Sequence, residues 1–127
     1  MKDFWLTPKE IYDALDAEFK FNFDPCPFPR PENFNGLAVA WGTSNFVNPP
    51  FRLKDAFKGA GPTAFARRAI AEKENGNRSV LLLPVQSYVA LLVAAGASVR
   101  SLGRVKWIST DSADAMPSPT SICAFVL

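Results

Sequence analysis

The sequence predicts a single α/β domain in three layers, its sheet mixed in strand direction at one edge. Three observations carry that reading. Ser79-Val80-Leu81-Leu82-Leu83-Pro84 is a continuous apolar run, the pattern of a central parallel strand buried on both faces. Thr43 to Val47 reads as a strand and Pro62 to about Glu74 as a helix, so strand, crossover helix and strand form a right-handed βαβ unit. Ser121 to Leu127 is a final apolar strand whose end ties the terminus into the sheet.

A chain of 127 residues, 48% hydrophobic and 20% charged, is sized for one domain with one core. It contains no apolar run long enough to span a bilayer and no signal peptide, so no membrane partner and a cytoplasmic location are expected. Histidine is absent, which excludes Ser-His and Cys-His triads and His-ligated metals, and the two cysteines, Cys26 and Cys123, are too far apart in sequence for metal spacing. A net charge of +2 permits a nucleic-acid partner without demanding one. Of eleven Pro, six cluster at Pro25 to Pro31 and at Pro49-Pro50, where they stiffen loops beside strand ends and suggest preformed pocket walls. Eleven Phe and three Trp in a core this small, some of them exposed, are compatible with a homodimer.

Thr7 reads as an N-cap, Pro8 as the first helical residue and Glu10 as the partner in a capping box, predicting a helix from Pro8 to Glu18 with Ile11, Leu15 and Phe19 on its apolar stripe. Its free amides could hold a ligand carboxylate. Phe19-Lys20-Phe21-Asn22-Phe23-Asp24 alternates aromatic and polar residues and predicts a short strand ending at Asp24. Asp24-Pro25-Cys26-Pro27 then turns; the carboxylate could fix a cofactor's ammonium or hydroxyl, or simply cap its own backbone. Residues 28–42 are an irregular connection, more often functional than not at that length. Arg52 to Gly61, with Arg52, Lys54 and Lys58, reads as a basic loop placed to meet phosphates, or as an ordinary solvated loop. In the second helix Phe65, Ala66, Ala69 and Ile70 face inward, Arg67 and Arg68 outward, and Asn75-Gly76 closes it. Tyr88 to Ala95 is a third helix, Ser98 to Leu102 and Arg104 to Ile108 are strands, and Ser109 to Pro119 is a loop.

The stretch with the most chemistry in it is Asn45-Phe46-Val47-Asn48-Pro49-Pro50-Phe51. The two prolines break the strand at once, because neither donates to a ladder and each restricts the residue before it. Asn48 is thus held at a strand's carboxyl end, where open α/β sheets bind ligands. Its side-chain oxygen and the Pro49 carbonyl can accept from an exocyclic amino group while Phe51 offers a stacking face. Two acceptors pull the nitrogen lone pair out of conjugation and aim it at an electrophile. A strand ending in a polyproline-like turn would carry the same residues.

The order Trp5-x-Thr7-Pro8, Asp24-Pro25-Cys26, Gly36-Leu37 with Trp41, Asn48-Pro49-Pro50-Phe51, Leu82-Leu83-Pro84, Gly103-Arg104-Val105-Lys106-Trp107 and Pro117-Ser118 resembles the phage-type DNA N-6-adenine methyltransferase family along essentially the whole chain. The resemblance implies one Rossmann-like methyltransferase domain over residues 1–127, S-adenosylmethionine as donor, and adenine in double-stranded DNA as acceptor, in a phage or prophage protein. It implies cofactor contacts from Trp5, Thr7, Pro8, Asp24 and Pro25, and catalysis by Asn48, Pro49, Pro50 and Phe51. The chain departs from the pattern in having Cys26-Pro27-Phe28-Pro29 in place of a Gly-rich turn, and no obvious second strand supplies an acid for the ribose hydroxyls, Glu32 being a weak candidate. Asn35 replaces Asp, Phe51 replaces the more frequent Tyr, and the target-recognition region is nearly absent. A methyltransferase acting on RNA or a protein amide, and a degenerate binding module, are the alternatives.

Overall fold

The strand Arg78–Pro84 (β3) is the spine of the fold, every residue after Arg78 being buried. The computed structural model describes residues 5–27, 31–49, 61–103, 105–109, 115–117 and 121–127. Along the chain the elements are β1 (Trp5–Leu6), α1 (Lys9–Phe19), β2 (Ser44–Val47), α2 (Pro62–Glu74), β3, α3 (Tyr88–Ala94), β4 (Ser98–Gly103), β5 (Lys106–Ser109), β6 (Ala115–Pro117) and β7 (Ile122–Val126). No helix among them is long and apolar enough to cross a membrane.

The main sheet has the order β2-β3-β7-β4. β2 lies parallel to β3, Val47 beside Leu81, while β7 runs antiparallel to both β3 and β4. The chain is therefore α/β with a mixed sheet, and β2-α2-β3 is the parallel unit expected. Because β3 alternates faces, Leu81 and Leu83 pack with Phe65, Ala66 and Ala69 of α2 and Tyr88 and Leu92 of α3. Val80 and Leu82 pack the other way, with Leu15 and Phe19 of α1. Three layers result, with β3 apolar on both sides because both sides are covered.

Local signals set α2. Gly61 precedes Pro62 in the first turn, where the missing N–H costs nothing, and Gly76 at φ 83° follows Asn75.

Several expectations are corrected. Thr7 does not cap α1: Pro8, with ψ 139°, occupies the cap position, its carbonyl accepts from the amides of Ile11 and Tyr12, and no side-chain cap bond forms. Phe19 to Asp24 is not a strand. The helix keeps Phe19, whose carbonyl is taken by the Ser44 hydroxyl, and Lys20 turns left-handed at φ 51°. Phe19 and Phe21 then stack on the α1 side, whereas Phe23 packs on the opposite core, so the aromatic alternation spans two faces of the fold. What survives is a single parallel bridge, Phe23 to Asn45, with the Phe46 amide donating to the Phe23 carbonyl. Arg68 does not face outward; it is half-buried against Trp41. Trp5–Leu6 pairs with β5, and β6 forms inside the stretch expected to be a loop, giving a second sheet β1-β5-β6.

Candidate active site

β2 ends at Val47, and the next residue is Asn48. Val47 packs with Leu81 and Leu83 toward α2 and α3, and Phe46 packs toward α1, so alternation sends Asn48 to the α1 side. Thr7 meets it there: the Asn48 Nδ2 donates to the Thr7 Oγ1 at 3.0 Å. Both residues are half-buried, and the prolines beside them, Pro8 and Pro49, are buried. Among the described residues no donor meets the Asn48 Oδ1.

Asp24 follows Phe23, the residue bridged to Asn45, and so stands at the same carboxyl edge as Asn48. Its Oδ1 accepts from the Cys26 amide at 2.8 Å, closing the turn, and Pro25 behind it is fully buried. Burial pushes the Asp24 carboxyl up from 3.8 to about 6, and the Cys26 amide only partly offsets this. A carboxylate desolvated this far, with a single amide as its partner among the described residues, has capacity for a cation.

Tyr12 occupies the first turns of α1. Its ring meets Phe46 edge-on with centroids 4.9 Å apart. Burial first, then the carboxylates of Asp16, Asp24 and Asp13, hold its phenol above the usual range. Tyr12 thus packs on Phe46, two residues before Asn48, on the α1 side of the sheet. Tyr12 was not singled out from the sequence, although its spacing to Leu15 and Phe19 marks it as facing the sheet.

The irregular stretch 31–42 packs between the Pro25 turn and α2. Asn35 caps a turn by accepting from the Leu37 amide, and Gly36 lies against the Pro25 carbonyl. Trp41 donates from its indole to the Gly36 carbonyl and stacks on Phe65. Arg68 lies 4.9 Å above the Trp41 ring, donates to the carbonyls of Leu37 and Val39, and pairs with Glu72. Buried Asn45 fastens the base of β2, accepting from the Gly42 amide and donating to the Gly42 and Arg78 carbonyls.

The structure thus joins Thr7 directly to Asn48, with Pro8 and Pro49 beside them, and places Asp24 and Pro25 after the residue bridged to Asn45. Trp5 is in β1, its side chain outside what is described; Pro50, Phe51, Arg52, Lys54 and Lys58 also lie outside the described residues.

No family model matches the chain, and no solved structure matches it. Over 122 residues, 87% of this chain, it is 25% identical to the DNA N-6-adenine-methyltransferase of Escherichia phage T1, of which it covers 47%. The chain spans about half the length of that curated relative, and what the match establishes is a distant likeness to a phage DNA methyltransferase.

Proposed function

We propose that the chain is an S-adenosylmethionine-dependent methyltransferase of Rossmann-like fold, a single domain over residues 1–127, that methylates the exocyclic amino group of adenine in double-stranded DNA. The observation that carries this is the Asn48 amide. It is held by Thr7 at the carboxyl end of a parallel strand, its oxygen meeting no donor among the described residues, on the edge that also carries the half-buried Asp24. The distant likeness to the phage T1 enzyme supports the same reading.

The residues present fit the donor. Asp24, with its spare acceptor capacity, would take the ammonium, while Thr7 and the first amides of α1 suit a carboxylate. When bound, S-adenosylmethionine supplies an electrophilic methyl group. The Asn48 Oδ1 and the Pro49 carbonyl accept from the adenine amino group and hold its lone pair out of conjugation. Phe51 stacks on the base, whose extraction from the duplex costs a few kcal/mol. Arg52, Lys54 and Lys58 meet phosphates. Such positioning needs no strong general base, consistent with a chain that lacks histidine.

The test is transfer of labelled methyl from S-adenosylmethionine to unmodified plasmid DNA, with the product nucleoside identified by mass spectrometry and with RNA and protein as parallel acceptors. Methylated adenine in DNA is expected. Label in RNA or protein alone overturns the substrate, and label in none of them leaves a binding module.

A further inference from the structure

We propose that Thr7 is a positioning residue that ties the orientation of the Asn48 amide to occupancy of the donor pocket. This rests on the function proposed above and goes beyond it, because it makes the acceptor site answer to the donor.

Thr7 is fixed from both sides. β1 before it pairs with β5, Leu6 beside Ile108, and Pro8 after it is buried and anchors the first turn of α1 through the Ile11 and Tyr12 amides. Asn48 is fixed likewise, between buried Val47 and buried Pro49, with its backbone restricted by the proline next in the chain. The contact that joins these two rigid segments is the 3.0 Å bond from Asn48 Nδ2 to Thr7 Oγ1. Although Thr7 stands at a helix start, its hydroxyl makes no cap.

A carboxamide is nearly symmetric in shape and reversed in polarity: turned over, it presents two donors where it had presented an acceptor. Grasping an amino group requires the oxygen to face the base. A threonine hydroxyl does not enforce this unaided, since it can accept from Nδ2 or donate to Oδ1. The choice depends on the hydroxyl proton. Once that proton is donated to an acceptor elsewhere, the oxygen can only accept from Asn48, so Nδ2 must face Thr7 and Oδ1 must face the target. A donor carboxylate beside Thr7 supplies that acceptor. Donor binding therefore selects the amide orientation that can hold adenine, with the leverage of one hydrogen bond, about 5–10-fold in the equilibrium between the two orientations.

The experiment follows the Asn48 side-chain amide by NMR in the isotope-labelled full chain, its resonances being identified by their loss in Asn48→Ala. S-adenosylhomocysteine carries the donor's carboxylate without its reactive methyl, and methylthioadenosine lacks the amino-acid portion. S-adenosylhomocysteine should shift the Asn48 amide protons and slow their exchange with water about 5–10-fold, whereas methylthioadenosine should do neither. Thr7→Val should abolish the response and lower kcat by a similar factor with an unchanged melting temperature, and Thr7→Ser should restore both. A response that survives in Thr7→Val, or that methylthioadenosine elicits equally, overturns the coupling. Binding of S-adenosylhomocysteine with a silent Asn48 overturns the coupling alone, whereas failure of the wild type to bind it overturns the donor reading as well.

Discussion

Gly36 stands against the main chain of Pro25, so that a methyl group on its Cα would lie 2.0 Å from the Pro25 carbonyl oxygen. The obstacle is backbone in a buried turn and cannot step aside as a flexible side chain would. The approach holds the 31–42 stretch against the turn that carries Asp24. Gly36→Ala should therefore cost about 1–3 kcal/mol in chemical denaturation and abolish the thermal shift given by S-adenosylmethionine. Wild-type stability in that variant would mean that the two segments are free to separate.

Arg68 ties the same stretch to α2 from the other side, through the Leu37 and Val39 carbonyls and the Trp41 face, while Glu72 on its own helix holds the guanidinium. Lysine keeps the charge but cannot reproduce a planar fork reaching three acceptors. Arg68→Lys should lose about 2 kcal/mol, at the level of hydrogen bonds to a charged group. Hydrogen exchange should accelerate in residues 35–42 and leave β3 unaffected. Uniform acceleration across both would contradict the local tether.

Asp24 makes stability depend on pH in the direction opposite to a salt-bridged carboxylate. Its folded value, about 6, lies above the unfolded 3.8, so the folded state holds its proton more tightly. This contribution is fully present below about pH 4 and is lost as pH rises through 6, a difference of about 3 kcal/mol for a shift of roughly two pKa units. Asp24→Asn retains the acceptor for the Cys26 amide and removes the charge. Urea denaturation should find it up to about 3 kcal/mol more stable than wild type at pH 7 and equal to it at pH 3. A destabilised variant at pH 7 would show that the carboxylate already has a cationic partner.

Ser79 is fully buried in β3, and its hydroxyl has no hydrogen-bond partner among the described residues. Ser79→Ala removes a desolvated polar atom without opening a large void, and should leave stability unchanged or raise it by about 1 kcal/mol. A loss above 1 kcal/mol on thermal unfolding would reveal a partner for that hydroxyl.

These cases also show which parts of the molecule could be read from sequence. α2 was readable to the residue because its limits are local: Gly61-Pro62 at one end, Asn75-Gly76 at the other. β3 was readable because a run buried on both faces must be apolar throughout. Thr7 misled because the local capping pattern was complete, yet its hydroxyl is engaged by Asn48, 41 residues away. Phe19 to Phe23 misled because alternation says nothing about a chain that crosses between two cores. Arg68 gave no signal at all, since its partners at Leu37, Val39 and Trp41 belong to a segment without periodicity. Asn48 and Asp24 were legible as candidates because each is succeeded by a proline that restricts its backbone. Tyr12 was not, since on a helix it looks like any core aromatic.

The most direct test of the account is methyl transfer to plasmid DNA by wild type and Asn48→Ala, each first checked for folding by circular dichroism and for S-adenosylmethionine binding. The account predicts methylated adenine from wild type and loss of transfer by at least about 100-fold in the variant, on the scale of removing a transition-state hydrogen-bond partner, with cofactor binding retained to within roughly tenfold. Equal transfer by the two proteins would contradict it, because the base would then be held by something other than the Asn48 amide.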